Sequence, residues 1–268
     1  CGNKQSSKDG KTTQPTTIKT TPAVIKLESP LNGSTYTTTN NIEIQYKTLT
    51  DSIQIDSTIL SINGKKLQTF EGLSYNLPLS DSKMGTQRAL LIAYSRGKSV
   101  GTLSFVYTVK PQHAPKTYTY KVINEYPHDK KAYTQGLYFE NGFLYESTGQ
   151  YGKSSLRKVD LKTGEVLKNI NLDKKYFGEG IALFNNKIYQ LTWENRLGFI
   201  YNANTFEKTG EFKYNTQGWG ITTDGKYLIM SDGTANLYFI NPETMNIEKQ
   251  IEVYSDTGAV TFLNELEY

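Results

Sequence analysis

Along most of the chain apolar and polar residues alternate with a period of two, which puts one face of a strand inside and the other in water. Ile42-Glu43-Ile44-Gln45-Tyr46 and Leu103-Ser104-Phe105-Val106-Tyr107-Thr108-Val109 show it most clearly. Ile59-Leu60-Ser61-Ile62 faces Lys65-Lys66-Leu67 across Asn63-Gly64, a pair suited to a two-residue hairpin turn because both positions accept positive φ. Leu90-Leu91-Ile92-Ala93-Tyr94 breaks the alternation and predicts a more buried strand. Turn-forming clusters at 30–34, 76–85 and 96–99 separate these runs. About seven short strands over residues 23–110 predict an immunoglobulin-like β-sandwich. Residues 111–117 contain two prolines and no apolar pattern, and read as a linker.

From residue 118 the pattern repeats. Thr134-Gln135-Gly136-Leu137, Gly178-Glu179-Gly180-Ile181 and Gly218-Trp219-Gly220-Ile221 look alike, with their Leu/Ile positions 44 and 40 residues apart. A second anchor keeps step: Asp160 to Gly164, Asn202 to Phe206 and Asn241 to Met245, at spacings of 42 and 39. Strand pairs lie between the anchors, joined by Asn141-Gly142 and Asn185-Asn186. A period near 40–45 with four short strands per unit predicts propeller blades. The innermost strand of each blade lines a central channel. The residue before each repeated glycine then sits at the channel mouth. This symmetry brings Gln135, Glu179 and Trp219 together, with Glu265 or the adjacent Asn264 opening a fourth blade. The segment Tyr118–Ile123 is expected as a further strand that helps close the ring.

Composition agrees with an all-β chain, since 20 Tyr and 11 Phe favour strands. The longest apolar run, Ala89 to Tyr94, is far short of the roughly 18 residues that span a bilayer as a helix. One cysteine and two histidines, His113 and His128, give neither an internal disulfide framework nor a Cys/His zinc site. Most of the net charge of +4 lies in residues 1–21, which carry four lysines against one aspartate. The near-neutral remainder argues against a nucleic-acid partner. Cys1 opens a polar, Ser/Thr-rich stretch to residue 22 that buries too little to order itself. This start resembles a mature bacterial lipoprotein. The resemblance implies lipid on Cys1, a flexible tether over 1–22, membrane attachment through that lipid and a place in the bacterial cell envelope.

The stretches Tyr133 to Leu137, Tyr145 to Arg157, Tyr176 to Ile181, Leu191-Thr192-Trp193 and Leu263 to Glu267 together resemble the plant and bacterial glutaminyl-peptide cyclotransferases. That family is a five-bladed propeller, unrelated to the zinc-dependent animal cyclotransferases. It converts the N-terminal glutamine of peptides to pyroglutamate and releases ammonia. The resemblance implies a metal-independent enzyme without a cofactor, acting on peptides that begin with Gln. By position, Glu179 matches the catalytic glutamate. Phe177, Trp193 and Trp219 match aromatic walls of the pocket, and Gln135 and Asn264 match polar positions that hold the substrate. A carboxyl group suits the chemistry, because amide nitrogen leaves only once protonated and one carboxyl can relay that proton. Glu146 and Arg157 read as a structural ion pair, and Asp232-Gly233-Thr234 as a blade turn.

The repeat ends at Tyr268, just inside the fourth blade, about 80 residues short of a five-bladed ring at this period. An incomplete propeller over 118–268 is therefore expected, following a sandwich over 23–110 whose own partner is open. Two other functions stay open on the residues alone: a noncatalytic propeller that binds peptide N-termini, and a surface adhesion or scaffold lipoprotein that works through the sandwich.

Overall fold

The computed structural model describes residues 23–268, and every regular element in them is a strand. Cys1 and the expected tether lie outside the described residues.

The N-terminal unit has eight strands: β1 (Ile25–Ser29), β2 (Ser34–Thr37), β3 (Asn41–Thr48), β4 (Ser57–Ile62), β5 (Lys65–Phe70), β6 (Ser74–Pro78), β7 (Gly85–Ser95) and β8 (Lys98–Lys110). They form a three-stranded sheet in the order β1-β3-β6 and a five-stranded sheet in the order β2-β8-β7-β4-β5. Ile42, Ile44 and Tyr46 of β3 meet Leu60, Leu91, Phe105 and Tyr107 of the other sheet in one core. Asn63 and Gly64 both take positive φ, 50° and 78°, so the hairpin has the mirror-image turn that matches strand twist. The expected buried strand at 90–94 is corrected. β7 alternates like its neighbours, and Leu90 is exposed. Only one face of this sheet has a sheet to pack against, so the apolar run does not bury both.

Residues 111–133 carry no strand. The expected strand at Tyr118–Ile123 is therefore absent: Tyr118, Tyr120 and Ile123 are exposed, and no strand lies alongside to pair with them among the described residues. His128 and Asp129 fasten the end of this segment. His128 bonds Glu146 at 2.8 Å and Asp129 pairs with Arg157 at 3.0 Å.

Three four-stranded antiparallel meanders follow. The first is β9 (Thr134–Glu140), β10 (Phe143–Thr148), β11 (Ser155–Asp160) and β12 (Val166–Asn171). The second is β13 (Gly178–Phe184), β14 (Lys187–Thr192), β15 (Leu197–Asn202) and β16 (Lys208–Lys213). The third is β17 (Ile221–Thr223), β18 (Leu228–Ser231), β19 (Asn236–Ile240) and β20 (Ile247–Glu252). A short hairpin closes the set, β21 (Tyr254–Ser255) with β22 (Gly258–Ala259).

Each sequence anchor has a distinct physical cause. The second is one five-residue turn built three times. Asp160, Asn202 and Asn241 each accept backbone N–H bonds from the residues two and three places on. Gly164, Phe206 and Met245 each close the turn at positive φ. An Asp or Asn side chain replaces the turn's missing backbone acceptor, which explains its recurrence. The first anchor is set by close approach of the innermost strands β9, β13 and β17. A Cβ on Gly136 would stand 2.6 Å from the Ile181 nitrogen, and one on Gly180 would stand 2.8 Å from the Gly220 Cα.

Successive meanders share cores. Tyr145 and Leu156 of the first pack with Ile181, Ile188 and Phe199 of the second. Ala182, Tyr189 and Leu191 of the second pack with Ile221, Leu228 and Met230 of the third. Buried Gln190 donates to Ser147 Oγ at 2.8 Å, which ties the first pair by a satisfied polar contact. The N-terminal unit touches the third meander where Thr86 N–H donates to Glu252 Oε2 at 3.0 Å.

Candidate active site

The side chains that chemistry needs come from one end of the inner strands. Gln135 and Glu179 are the second residues of β9 and β13. Each sits where the register slips against the next strand. Gly136 and Thr134 face consecutive residues Ser147 and Thr148, and Gly178 and Ile181 face Thr192 and Gln190. One extra residue at each place makes a β-bulge, which breaks the alternation and re-aims a side chain. The same slip recurs before β17, where Trp219 N–H donates to Ser231 O and Gly220 O accepts from Ser231 N.

The result is a cavity of about 380 Å³ lined by Tyr133, Gln135, Phe177, Glu179, Trp193, Trp219 and Asn264. The structure thus places all six pocket residues expected from the sequence around one space. Phe177 stands just before β13 and Trp193 just after β14, linked by a 3.0 Å bond from Trp193 N to Phe177 O. Their rings meet edge-on at 5.7 Å between centroids. Tyr133 and Tyr151 pack edge-on against Phe177 at 6.2 and 5.5 Å. The chain makes room for that ring by omitting a side chain, since a Cβ on Gly149 would meet Phe177 Cζ at 2.7 Å. Gly233 does the same for Trp219, whose ring atoms would lie 2.7 Å from an added Cβ.

Glu179 is buried, and Gln135 Nε2 donates to its Oε2 at 2.8 Å. Oε1 has no donor among the described residues. Burial pushes the carboxyl from the ordinary 4.5 up to about 8, and the Gln135 bond opposes this only in part. A carboxyl with this value holds a proton at neutral pH and can both give and take one.

Asn264 and Glu265 divide the fourth position between them. Asn264 lines the cavity, whereas Glu265 turns inward beside Gly180. Both Glu265 carboxyl oxygens are shielded without a hydrogen-bond partner among the described residues. Burial first, then the Glu267 charge, raises its pKa to about 9.

Glu146 lies apart from the cavity. Its Oε1 accepts from Thr134 Oγ1 at 2.6 Å and bonds His128, with Arg157 3.8 Å from Oε2. Asp232 is likewise absent from the cavity lining. Burial raises its pKa, but bonds from Thr234, Thr216 and Tyr238 together hold it below the usual range. Sequence reasoning missed Gln217. Its Oε1 accepts from Trp193 Nε1 and from Trp219 Nε1, both at 2.9 Å.

The family model described as "Glutamine cyclotransferase" matches residues 98–268, well over half of the chain. The chain belongs to the glutamine cyclotransferase family. The match begins within β8, some way before the expected boundary at 118. A glutaminyl-peptide cyclotransferase of Arabidopsis thaliana is 47% identical over 150 residues, 55% of this chain and 47% of that protein. The crystal structure of a Myxococcus xanthus glutaminyl cyclase superposes with a TM-score of 0.50 at 31% identity, over 54% of this chain and 61% of that one. The chain thus spans about half the length of the curated cyclotransferase it matches.

Proposed function

We propose that this protein cyclises the N-terminal glutamine of peptides to pyroglutamate with release of ammonia, and that Glu179 moves the protons. The observation that carries the reading is a buried carboxyl that lines an aromatic cavity and has one oxygen held by Gln135. In the reaction the neutral α-amine attacks the side-chain amide carbon, forming the lactam C–N bond. Glu179 gives its proton to the amide nitrogen and takes one from the former α-amine, so ammonia departs and the carboxyl returns to its starting state. The nucleophile and the amide belong to one residue, so holding that residue in its folded-back rotamer supplies much of the rate. Phe177, Trp193 and Trp219 wall the side chain and exclude water. Gln135 and Asn264 supply the amides that orient the substrate carbonyl and amine.

The remaining architecture follows the same proposal. The three meanders within 118–268 are three of the blades of a five-bladed propeller. The eight-stranded unit over 23–110 is an immunoglobulin-like sandwich joined through the linker 111–117. Lipid on Cys1 holds the protein in the cell envelope, and metabolic labelling with a fatty acid, lost on Cys1→Ser, tests that part. For the enzyme, ammonia release from a Gln-initiated dipeptide by the protein, and its loss in Glu179→Gln, is the test. Peptide binding without release in the wild type would leave a binding propeller instead.

A further inference from the structure

The chain has two tryptophans, and both are walls of this pocket. One atom holds them together. Gln217 Oε1 accepts from Trp193 Nε1 and Trp219 Nε1 at 2.9 Å each. An indole N–H only donates, so the oxygen of the amide must be the end that faces the rings, and its two lone pairs are both used. The rings arrive from different strand systems, Trp193 at the end of β14 and Trp219 ahead of β17. Neither indole nitrogen has a second acceptor among the described residues. Trp193 otherwise rests on Phe177 and Trp219 on Gly233, contacts that fix a ring's position less sharply than a directional bond. Gln217 stands behind the wall. It does not line the cavity that holds Glu179, but lines a neighbouring one of about 390 Å³ with Arg196, Thr216 and Asp232.

We propose that Gln217 is a positioning residue that sets the spacing and tilt of the two indole walls, and so the width of the slot that admits the glutamine side chain. The inference rests on the cyclase reading for its kinetic consequence, but not for its structural one. Without the shared acceptor, two half-buried N–H groups lose their partner at once. Each ring then settles separately, and substrate fit suffers more than the proton transfer at Glu179.

Three variants test this: Gln217→Met, which keeps the length and removes the acceptor, Gln217→Glu, which keeps an oxygen, and Gln217→Asn, which draws the oxygen back by one methylene. Two readings are taken on each, the tryptophan emission of the free protein and the KM and kcat for ammonia release from a Gln dipeptide. Gln217→Met is expected to shift the emission and raise KM about tenfold with kcat changed far less. Gln217→Glu is expected to restore most of both. Unchanged emission and KM in Gln217→Met, or equal damage in Gln217→Glu, would overturn the proposal. If Gln217→Met does not fold, Gln217→Asn must show the emission shift and the KM rise, and their absence overturns it equally. If the wild type releases no ammonia, the cyclase reading falls, while the emission series still decides the role of Gln217.

Discussion

Replacing Glu179 by glutamine is expected to stabilise the protein at neutral pH while it abolishes turnover. Burial raises the carboxyl from 4.5 to about 8. Between those values the unfolded chain has released the proton and the folded chain still holds it. The stability tied to this group is therefore full below about pH 4.5, falls as pH rises toward about 8, and is level beyond. At pH 7 about 2.5 pH units of that window have been crossed, a cost on the order of 3 kcal/mol. A glutamine of the same shape has no such term and still offers an oxygen to the Gln135 amide. Glu179→Gln should thus gain ~3 kcal/mol at pH 7, a Tm rise of roughly 6–12 °C for a unit of this size, and nothing at pH 4. Thermal melts of both proteins at pH 4, 5.5 and 7 read this directly. A kcat loss of about 10²–10⁴-fold in ammonia release should accompany the gain. Equal Tm values at pH 7, or a gain that is as large at pH 4, would refute the desolvated carboxyl.

Three further outcomes follow from the geometry. Gln135→Leu removes a bond that favours the charged form of Glu179, so the alkaline limb of kcat/KM should move to higher pH, and an unmoved or lowered limb in the pH–rate profile contradicts the assignment. Gly149→Ala puts a methyl 2.7 Å from Phe177 Cζ and 2.9 Å from Gln135 Cγ. It should cost about 1–3 kcal/mol in urea unfolding and depress kcat/KM, whereas intact kinetics would show that Phe177 is no wall. Glu146→Ala leaves Arg157 and His128 facing an empty buried site. Arg157 keeps Asp129 as its partner, so the loss of stability should be about 1–3 kcal/mol with kcat per folded molecule unchanged at low temperature, and a selective loss of kcat would instead make Glu146 part of the chemistry.

Period-two alternation, Asn-Gly turns and the second anchor were enough to lay out most of the strands, because each has a local cause. Positive φ at Asn63, Gly64, Asn141 and Gly142 depends on the residues themselves. The turn opened by Asp160, Asn202 or Asn241 is likewise a side chain bonding its own loop. The six pocket residues were legible for a related reason: a repeat maps equivalent positions to one end of one axis. What local pattern could not show was pairing at a distance. Leu90 to Tyr94 looks doubly buried until it is known that one face has no sheet on it. Tyr118 to Ile123 has the alternation of a strand, but a strand also needs a partner. The bulges at Gln135 and Glu179 were signalled only by glycines beside a polar residue, where pure alternation would have pointed the side chains elsewhere. Gln217 carried one weak hint, its place two residues before Trp219 in the third copy of the first anchor, and its role depends on an indole 24 residues away. Asn264 and Glu265 were inseparable in sequence because adjacent residues point to opposite sides, and only the packing beside Gly180 tells which is which.

The most direct test of the central claim is ammonia release from a Gln-initiated dipeptide, followed with pyroglutamate formation in the same samples, for the wild type and Glu179→Gln. Equal amounts of ammonia and pyroglutamate from the wild type, and neither from Glu179→Gln despite retained peptide binding, are expected. Undiminished release by Glu179→Gln would contradict the role of the buried carboxyl, and a folded wild type that binds the peptide without releasing ammonia would contradict the enzyme.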